Sequence, residues 1–358
     1  MAAEAPMDLS LTELCAAIQG GSISPVEAVE ASLARIGRLN PAVNAFVFLC
    51  PEQARAEAAD QAARLAQGEQ VGPLAGVPLG VKDLEDVAGL PTSYGAVPMK
   101  DNIAEQDSVV VERLRAAGAI VVGKTNTPIF GSTAFCKNLL YGVTRNPWNL
   151  AKTPGGSSGG SSAAIAARMV PLSTAADGGG SIRIPATFVG AFGLKPSFGR
   201  VPMTEGEQFG MTKWVDCVHF GPLTRTVADS ALFMDTTVGY SPRDPNSLPH
   251  PGISYAETVA EAAASHRIAA LADLPGGEGK DISELRIGWS ATLGYISATD
   301  PAVLAACEAA LEVFRGLGAT VVDLDLDLVD LGLNCARRPR CMRPCCAWHL
   351  LLVEDRDR

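Results

Sequence analysis

Residues 108–127 and 301–324 repeat one pattern, and it narrows the fold more than any other feature of the chain. In the first stretch Ser108 opens a helical segment, Gly118 stops it, and Ala119-Ile120-Val121-Val122-Gly123 follows as an unbroken apolar strand. In the second, Pro301 to Leu317 is helical and Thr320-Val321-Val322-Asp323-Leu324 is the strand. An apolar strand without polar alternation needs cover on both faces, so buried strands alternating with helices predict an α/β fold, a sheet with helices on both sides. Gly76-Val77-Pro78-Leu79-Gly80-Val81-Lys82-Asp83 reads as a further strand that delivers Lys82 to its end, and Leu285-Arg286-Ile287-Gly288-Trp289 as another. Ser24-Pro25-Val26-Glu27 is a capping box with proline in the first turn, and Val26, Val29, Leu33 and Ile36 continue at helical spacing. A second helix, about 52 to 67, is Ala-rich with Arg55, Glu57, Asp60 and Arg64 on its polar side and Gly68 as a stop. Residues 241–279, rich in Pro, Gly and Ala, read as a surface excursion, and a helix is expected over 163–169.

Composition bounds the function. With 47% apolar and 19% charged residues in 358 positions, the chain can fill a large core, and its net charge of −10 argues against partners such as nucleic acid or an anionic membrane. No apolar run reaches the roughly 18 residues of a membrane span, and Glu4 and Asp8 stand where a signal peptide carries Lys or Arg, so a cytoplasmic protein is expected. Four of the nine cysteines, Cys335, Cys341, Cys345 and Cys346, fall in the last stretch. The other five are isolated, as small buried hydrophobes in a reducing compartment would be.

Chemistry concentrates in the middle. Residues 153–162 read Thr-Pro-Gly-Gly-Ser-Ser-Gly-Gly-Ser-Ser, and residues 176–185 read Ala-Asp-Gly-Gly-Gly-Ser-Ile-Arg-Ile-Pro. Flexible linkers have this composition, but both loops are flanked by apolar segments that need burial. A phosphate cradle would want Gly-Lys-Ser/Thr or a spaced G-x-G-x-x-G, and neither is present. Gly155-Gly156-Ser157-Ser158-Gly159 does match G-x-S-x-G, yet the approach through Asn146-Pro147-Trp148-Asn149 and Pro154 is turn-like where that elbow needs a strand. The four histidines, His219, His250, His266 and His349, lie in neither Gly-rich nor strand-end contexts, which disfavours a Ser-His-Asp triad. What remains is a serine nucleophile whose base is not histidine. Gly178, Gly179 and Gly180 offer unobstructed N–H groups for an oxyanion, and Ser181 behind them is the nucleophile candidate.

Taken together these residues resemble the amidase signature family. The resemblance rests on Gly-Val-Lys-Asp at 80–83, Gly-Gly-Ser-Ser-Gly-Gly-Ser at 155–161 and Asp-Gly-Gly-Gly-Ser-Ile-Arg at 177–183. Gly-Lys-Thr-Asn at 123–126, Tyr-Gly-Val-Thr-Arg-Asn-Pro-Trp-Asn at 141–149, Gly-Leu-Lys-Pro at 193–196 and Gly-Pro-Leu-Thr-Arg-Thr-Val-Ala-Asp at 221–229 support it. It implies a three-layer α/β/α sandwich around a mixed central sheet, and an amide hydrolase that works through a serine acyl-enzyme. It further implies a Ser-cis-Ser-Lys triad: Lys82 as the base, Ser157 after a cis peptide bond as the bridge, and Ser181 as the nucleophile. Ser157 and Ser158 are adjacent, and only the family's spacing selects the former. To act as a base Lys82 must be neutral, so it should be buried. Asp177 and Arg183 flank the nucleophile and are expected to pair. At Gly178 the family more often carries Thr or Ile, but the N–H donor is retained. Neither a cofactor nor a metal is implied, the expected partner is a small-molecule amide, and a homodimer is admitted.

The resemblance runs from about residue 8 to about 327. Residues 1–327 are therefore expected to form an incomplete amidase signature domain, and residues 328–358 an atypical Cys/Arg-rich tail resembling out-of-frame translation, so that the family's C-terminal part is expected to be missing. The cysteine spacings there match no standard zinc pattern. Two alternatives accompany amide hydrolysis: the glutaminase (A) subunit of an aminoacyl-tRNA amidotransferase, and an inactive truncated remnant.

Overall fold

Six strands in the order β1-β3-β2-β6-β8-β7 form the central sheet. The computed structural model describes residues 2–203, 218–265, 267–268, 280–296 and 298–326, divided between two units, Met1–Gly252 and Ile253–Arg358. The first begins with α1 (Leu11–Gln19), α2 (Pro25–Val43), β1 (Phe46–Leu49), α3 (Pro51–Ala66) and β2 (Pro78–Lys82). It continues with α4 (Val109–Ala116), β3 (Ile120–Thr125), a small hairpin of β4 (Lys137–Asn138) and β5 (Gly142–Val143), α5 (Gly159–Ala166), β6 (Leu172–Asp177) and α6 (Arg183–Val189). β7 (Phe192–Gly193), β8 (His219–Thr224) and α7 (Val227–Thr237) complete it.

Every residue of β2, β3 and β6 is buried. Because successive side chains point to opposite faces, a strand buried throughout has cover on both sides, and the expected α/β architecture is observed. On one face Ile120, Val122, Ala175 and Leu223 pack with Val29 and Ile36 of α2, Ala54 and Ala58 of α3, and Ala163 to Ile165 of α5. β2 runs parallel to β3 and β6, whereas β1, β8 and β7 run antiparallel to their neighbours. The sheet is therefore mixed. Its three parallel strands end on the same edge, which carries Lys82, Thr125 and Asp177, and His219 at the start of β8 pairs with Asp177. Loops beyond the carboxyl ends of parallel strands are where α/β sheets place ligands.

The capping box predicted at Ser24 is present, with Ser24 Oγ accepting from Glu27 N–H and the Glu27 carboxylate accepting from Ser24 N–H. Two expectations are corrected. The helix read over 163–169 begins at Gly159, inside the Gly/Ser run, because backbone packs there without room for side chains: a Cβ on Gly160 would lie 2.2 Å from Asn126 N and one on Gly159 2.4 Å from Cys136 Cβ. The stretch 241–279, read as a surface excursion rather than a domain linker, holds the boundary between the two units, Gly252 to Ile253, and then the helix α8 (Tyr255–Ser265), which has no buried residue.

The second unit pairs β9 (Arg267–Ile268) with β10 (Lys280–Asp281) and, in parallel, β11 (Arg286–Trp289) with β12 (Thr320–Asp323), the latter two joined through α9 (Pro301–Gly316). Ile287, Leu311 and Ala319 form its small core. The Cys/Arg-rich tail lies outside the described residues. Among the described residues no helix is long and apolar enough to cross a membrane. Of the isolated cysteines, Cys15, Cys50 and Cys136 are buried as expected, whereas Cys307 is exposed.

Candidate active site

Lys82 ends β2 with its side chain fully buried. Its backbone N–H donates to Thr174 Oγ1 of β6 (3.0 Å), so the neighbouring strand fixes where the side chain starts. Nζ lies 2.8 Å from Ser157 Oγ, 2.8 Å from Ser158 Oγ and 3.5 Å from the Ala176 carbonyl. The Gly156–Ser157 peptide is cis. Ser157 and Ser158 are both buried, and the Ser157 carbonyl accepts from Thr127 Oγ1 at 3.3 Å. The lysine thus meets both adjacent serines, including the one that spacing did not select.

The partners of the two hydroxyls differ. Ser158 Oγ donates to the Ala176 carbonyl (3.3 Å) and accepts from Ala176 N–H (3.4 Å), so its proton is committed to β6. Ser157 Oγ, by contrast, meets Lys82 Nζ and no other group among the described residues.

Ser181 is half-buried at the head of α6, and its carbonyl accepts from Ser158 N–H at 3.3 Å. Among the described residues its hydroxyl makes no hydrogen bond, with Ser157 or any other group. The loop before it is clamped by Asp177. Arg183 Nε donates to Oδ2 and Nη2 to Oδ1, both at 2.9 Å, and the expected pair is present. Gly180 N–H donates to Asp177 Oδ1 (2.7 Å), with Ile182 and Arg183 N–H groups on Oδ2. That commitment corrects the reading of three equivalent glycine donors: Gly180 N–H serves the loop, and the amides of Gly178 and Gly179 remain. Burial by itself would push the Asp177 carboxyl up, but the hydrogen bonds and charge of Arg183, with the Gly180 and Ile182 amides, outweigh it and hold the group below its ordinary value.

Three features escaped the sequence reading. His219 heads β8, and its Nδ1 lies 3.2 Å from the Asp177 carbonyl, so one histidine does sit at a strand end. Lys124 of β3 is fully buried and donates to Glu85 O (2.5 Å) and Thr92 Oγ1 (2.9 Å). Glu85 is fully buried just beyond β2. The Gly-Lys-Thr-Asn motif pointed to position 124, but only the fold shows that this ammonium faces inward. A close-packed wall borders the serines as well: a Cβ on Gly131 would stand 3.3 Å from Ser157 Oγ and 3.0 Å from Leu84 Cδ1.

Fold and site together define a class: a mixed α/β sheet whose central parallel strand ends in a buried lysine, hydrogen-bonded to serines of a Gly/Ser-rich run. The Amidase family model matches residues 27–337, and the chain belongs to that family, in agreement with the resemblance carried by its motifs. It is 42% identical over 315 residues to an acylamidase of Rhodococcus erythropolis, covering 88% of this chain and 61% of the relative. To the A subunit of the glutamyl-tRNA(Gln) amidotransferase of Methylococcus capsulatus it is 39% identical over 325 residues, covering 90% and 62%. Among solved structures it is similar to a bacterial aryl acylamidase of the amidase signature family (TM-score 0.76, 33% identity, 88% of this chain and 61% of that one). It is also similar to 6-aminohexanoate cyclic dimer hydrolase in complex with its substrate (TM-score 0.75, 33% identity, 89% and 61%). The chain thus spans about three fifths of the length of the relatives it matches.

Proposed function

We propose that this chain hydrolyses the C–N bond of a small-molecule carboxamide, with Ser181 as nucleophile, Ser157 as bridge and Lys82 as base. The observation that carries the reading is the buried Lys82 Nζ, 2.8 Å from the Ser157 hydroxyl, which has no other hydrogen-bond partner among the described residues. As Ser181 Oγ bonds to the carbonyl carbon, its proton passes to Ser157 while the Ser157 proton passes to Lys82. The oxyanion is met by the amides of Gly178 and Gly179. Collapse breaks the C–N bond, and the proton returns from Lys82 through Ser157 to the departing nitrogen. Water then hydrolyses the acyl-enzyme by the same relay, leaving acid and amine.

A buried lysine used in this way needs no metal or cofactor. The acylamidase relationship favours an N-acylated amine as substrate, acting in the cytoplasm. A second reading, as the glutaminase component of an amidotransferase, is favoured by the 39% identity to the A subunit of such an enzyme. Incubation of the purified chain with acetanilides on one hand and glutamine on the other separates the two. Release of an aromatic amine supports the first reading, ammonia from glutamine alone supports the second, and absence of both contradicts amide hydrolysis by this chain.

A further inference from the structure

The ends of β2 and β3 bury more charge than the relay uses. Lys124 is already served: its ammonium donates to Thr92 and to the Glu85 carbonyl, and Asp83 lies 3.8 Å away. Asp83 in turn accepts from Ser93 N–H and Ser93 Oγ. The Glu85 side chain stands apart from this set. It is fully buried, and neither of its carboxyl oxygens makes a hydrogen bond of good geometry. Lys82 and Lys124 both lie near enough to favour its anion, as does the Thr174 hydroxyl, while Asp86 opposes it. A dry carboxyl without a dedicated donor is costly to keep, and besides Lys124 the amine in its reach is the proposed base.

We propose that Glu85 is a positioning residue of the reaction: its buried carboxylate offsets the charge formed on Lys82 when the relay delivers a proton. The inference rests on the proposed role of Lys82. One proton moves and no electron is transferred. It leaves Ser181 as the Oγ–carbon bond forms, an equivalent proton reaches Nζ through Ser157, and it departs with the nitrogen when the C–N bond breaks. Between those events Lys82 carries a buried ammonium, and the Glu85 anion offsets it. Burial, working against Thr174, Lys82 and Lys124, pushes the Glu85 carboxyl up to about 7.

The test is the pH dependence of kcat/KM on an anilide and of Ser181 labelling by a fluorophosphonate, both in the full chain. Glu85→Gln removes the anion, so the acid limb should move to lower pH by at least about half a unit while the plateau falls about tenfold or more. Thr174→Val removes a hydroxyl that favours the anion, so its limb should move to higher pH. Loosening of the site cannot produce shifts of opposite sign. If Glu85→Gln does not fold, the direction in Thr174→Val decides. Acid limbs that stay at the wild-type position, with or without loss of plateau, overturn the role of Glu85. Wild-type protein without any labelling at Ser181 overturns the underlying relay instead.

Discussion

Ser157 and Ser158 stand equally far from Lys82 Nζ, yet their other partners differ. Because the Ser158 proton is directed to the Ala176 carbonyl, Ser157→Ala should lower kcat about 100-fold or more and Ser158→Ala only about tenfold. Steady-state turnover of one amide by both variants checks this, and equal losses would contradict the relay. Lys82→Ala should cost about 10³-fold or more across neutral pH, and a near-normal rate would remove Lys82 from the mechanism. Lys82 was legible in the sequence because an apolar, β-branched run carried it to a strand end. Glu85 was not, since Lys-Asp-Leu-Glu-Asp reads as a solvated charged turn. Its burial appears only when the chain folds back, with Tyr94 N–H on the Asp83 carbonyl and Lys124 on the Glu85 carbonyl.

At the scale of elements, the nucleophile loop depends on one ion pair between β6 and α6. Asp177 is buried and Arg183 only partly exposed, so Arg183→Ala leaves a carboxylate stranded and should cost about 3 kcal/mol at neutral pH. Asp177 is held below 3.8 in the folded state, so its contribution is present above that pH and is lost as pH falls through the lower folded value. Urea denaturation should therefore show wild type and Arg183→Ala well separated at pH 7 and converging only as pH falls below 3.8. A constant gap would mean that Arg183 stabilises by packing alone. The elements around this loop were largely readable: β2, β3 and the capped α2 follow from periodicity and caps. The start of α5 did not, because glycines that mark a loop in sequence here admit Asn126 and Cys136 against the helix. Helix α8 was hidden by the Pro- and Gly-rich composition on either side of it, and His219 by its position at the first residue of a strand that antiparallel pairing with β6 defines.

For the whole molecule, the pattern of alternating helices and apolar strands identified the α/β class, whereas substrate choice had no such signature. The family match reaches residue 337, beyond the boundary expected at 327, and we propose that the amidase signature domain is incomplete and that the Cys/Arg-rich residues after 337 are out of frame. Replacing those last residues with a continuation typical of the family should then raise both soluble yield and amide turnover, and a 358-residue chain already soluble and fully active would refute the proposal. The central claim is that the proton leaving Ser181 reaches Lys82 through Ser157. Mapping a fluorophosphonate adduct on the intact chain by mass spectrometry tests it most directly. Ser181 should be modified, and at least about 100-fold more slowly when Lys82 is replaced by alanine. Modification of Ser157, or a rate independent of Lys82, would contradict it.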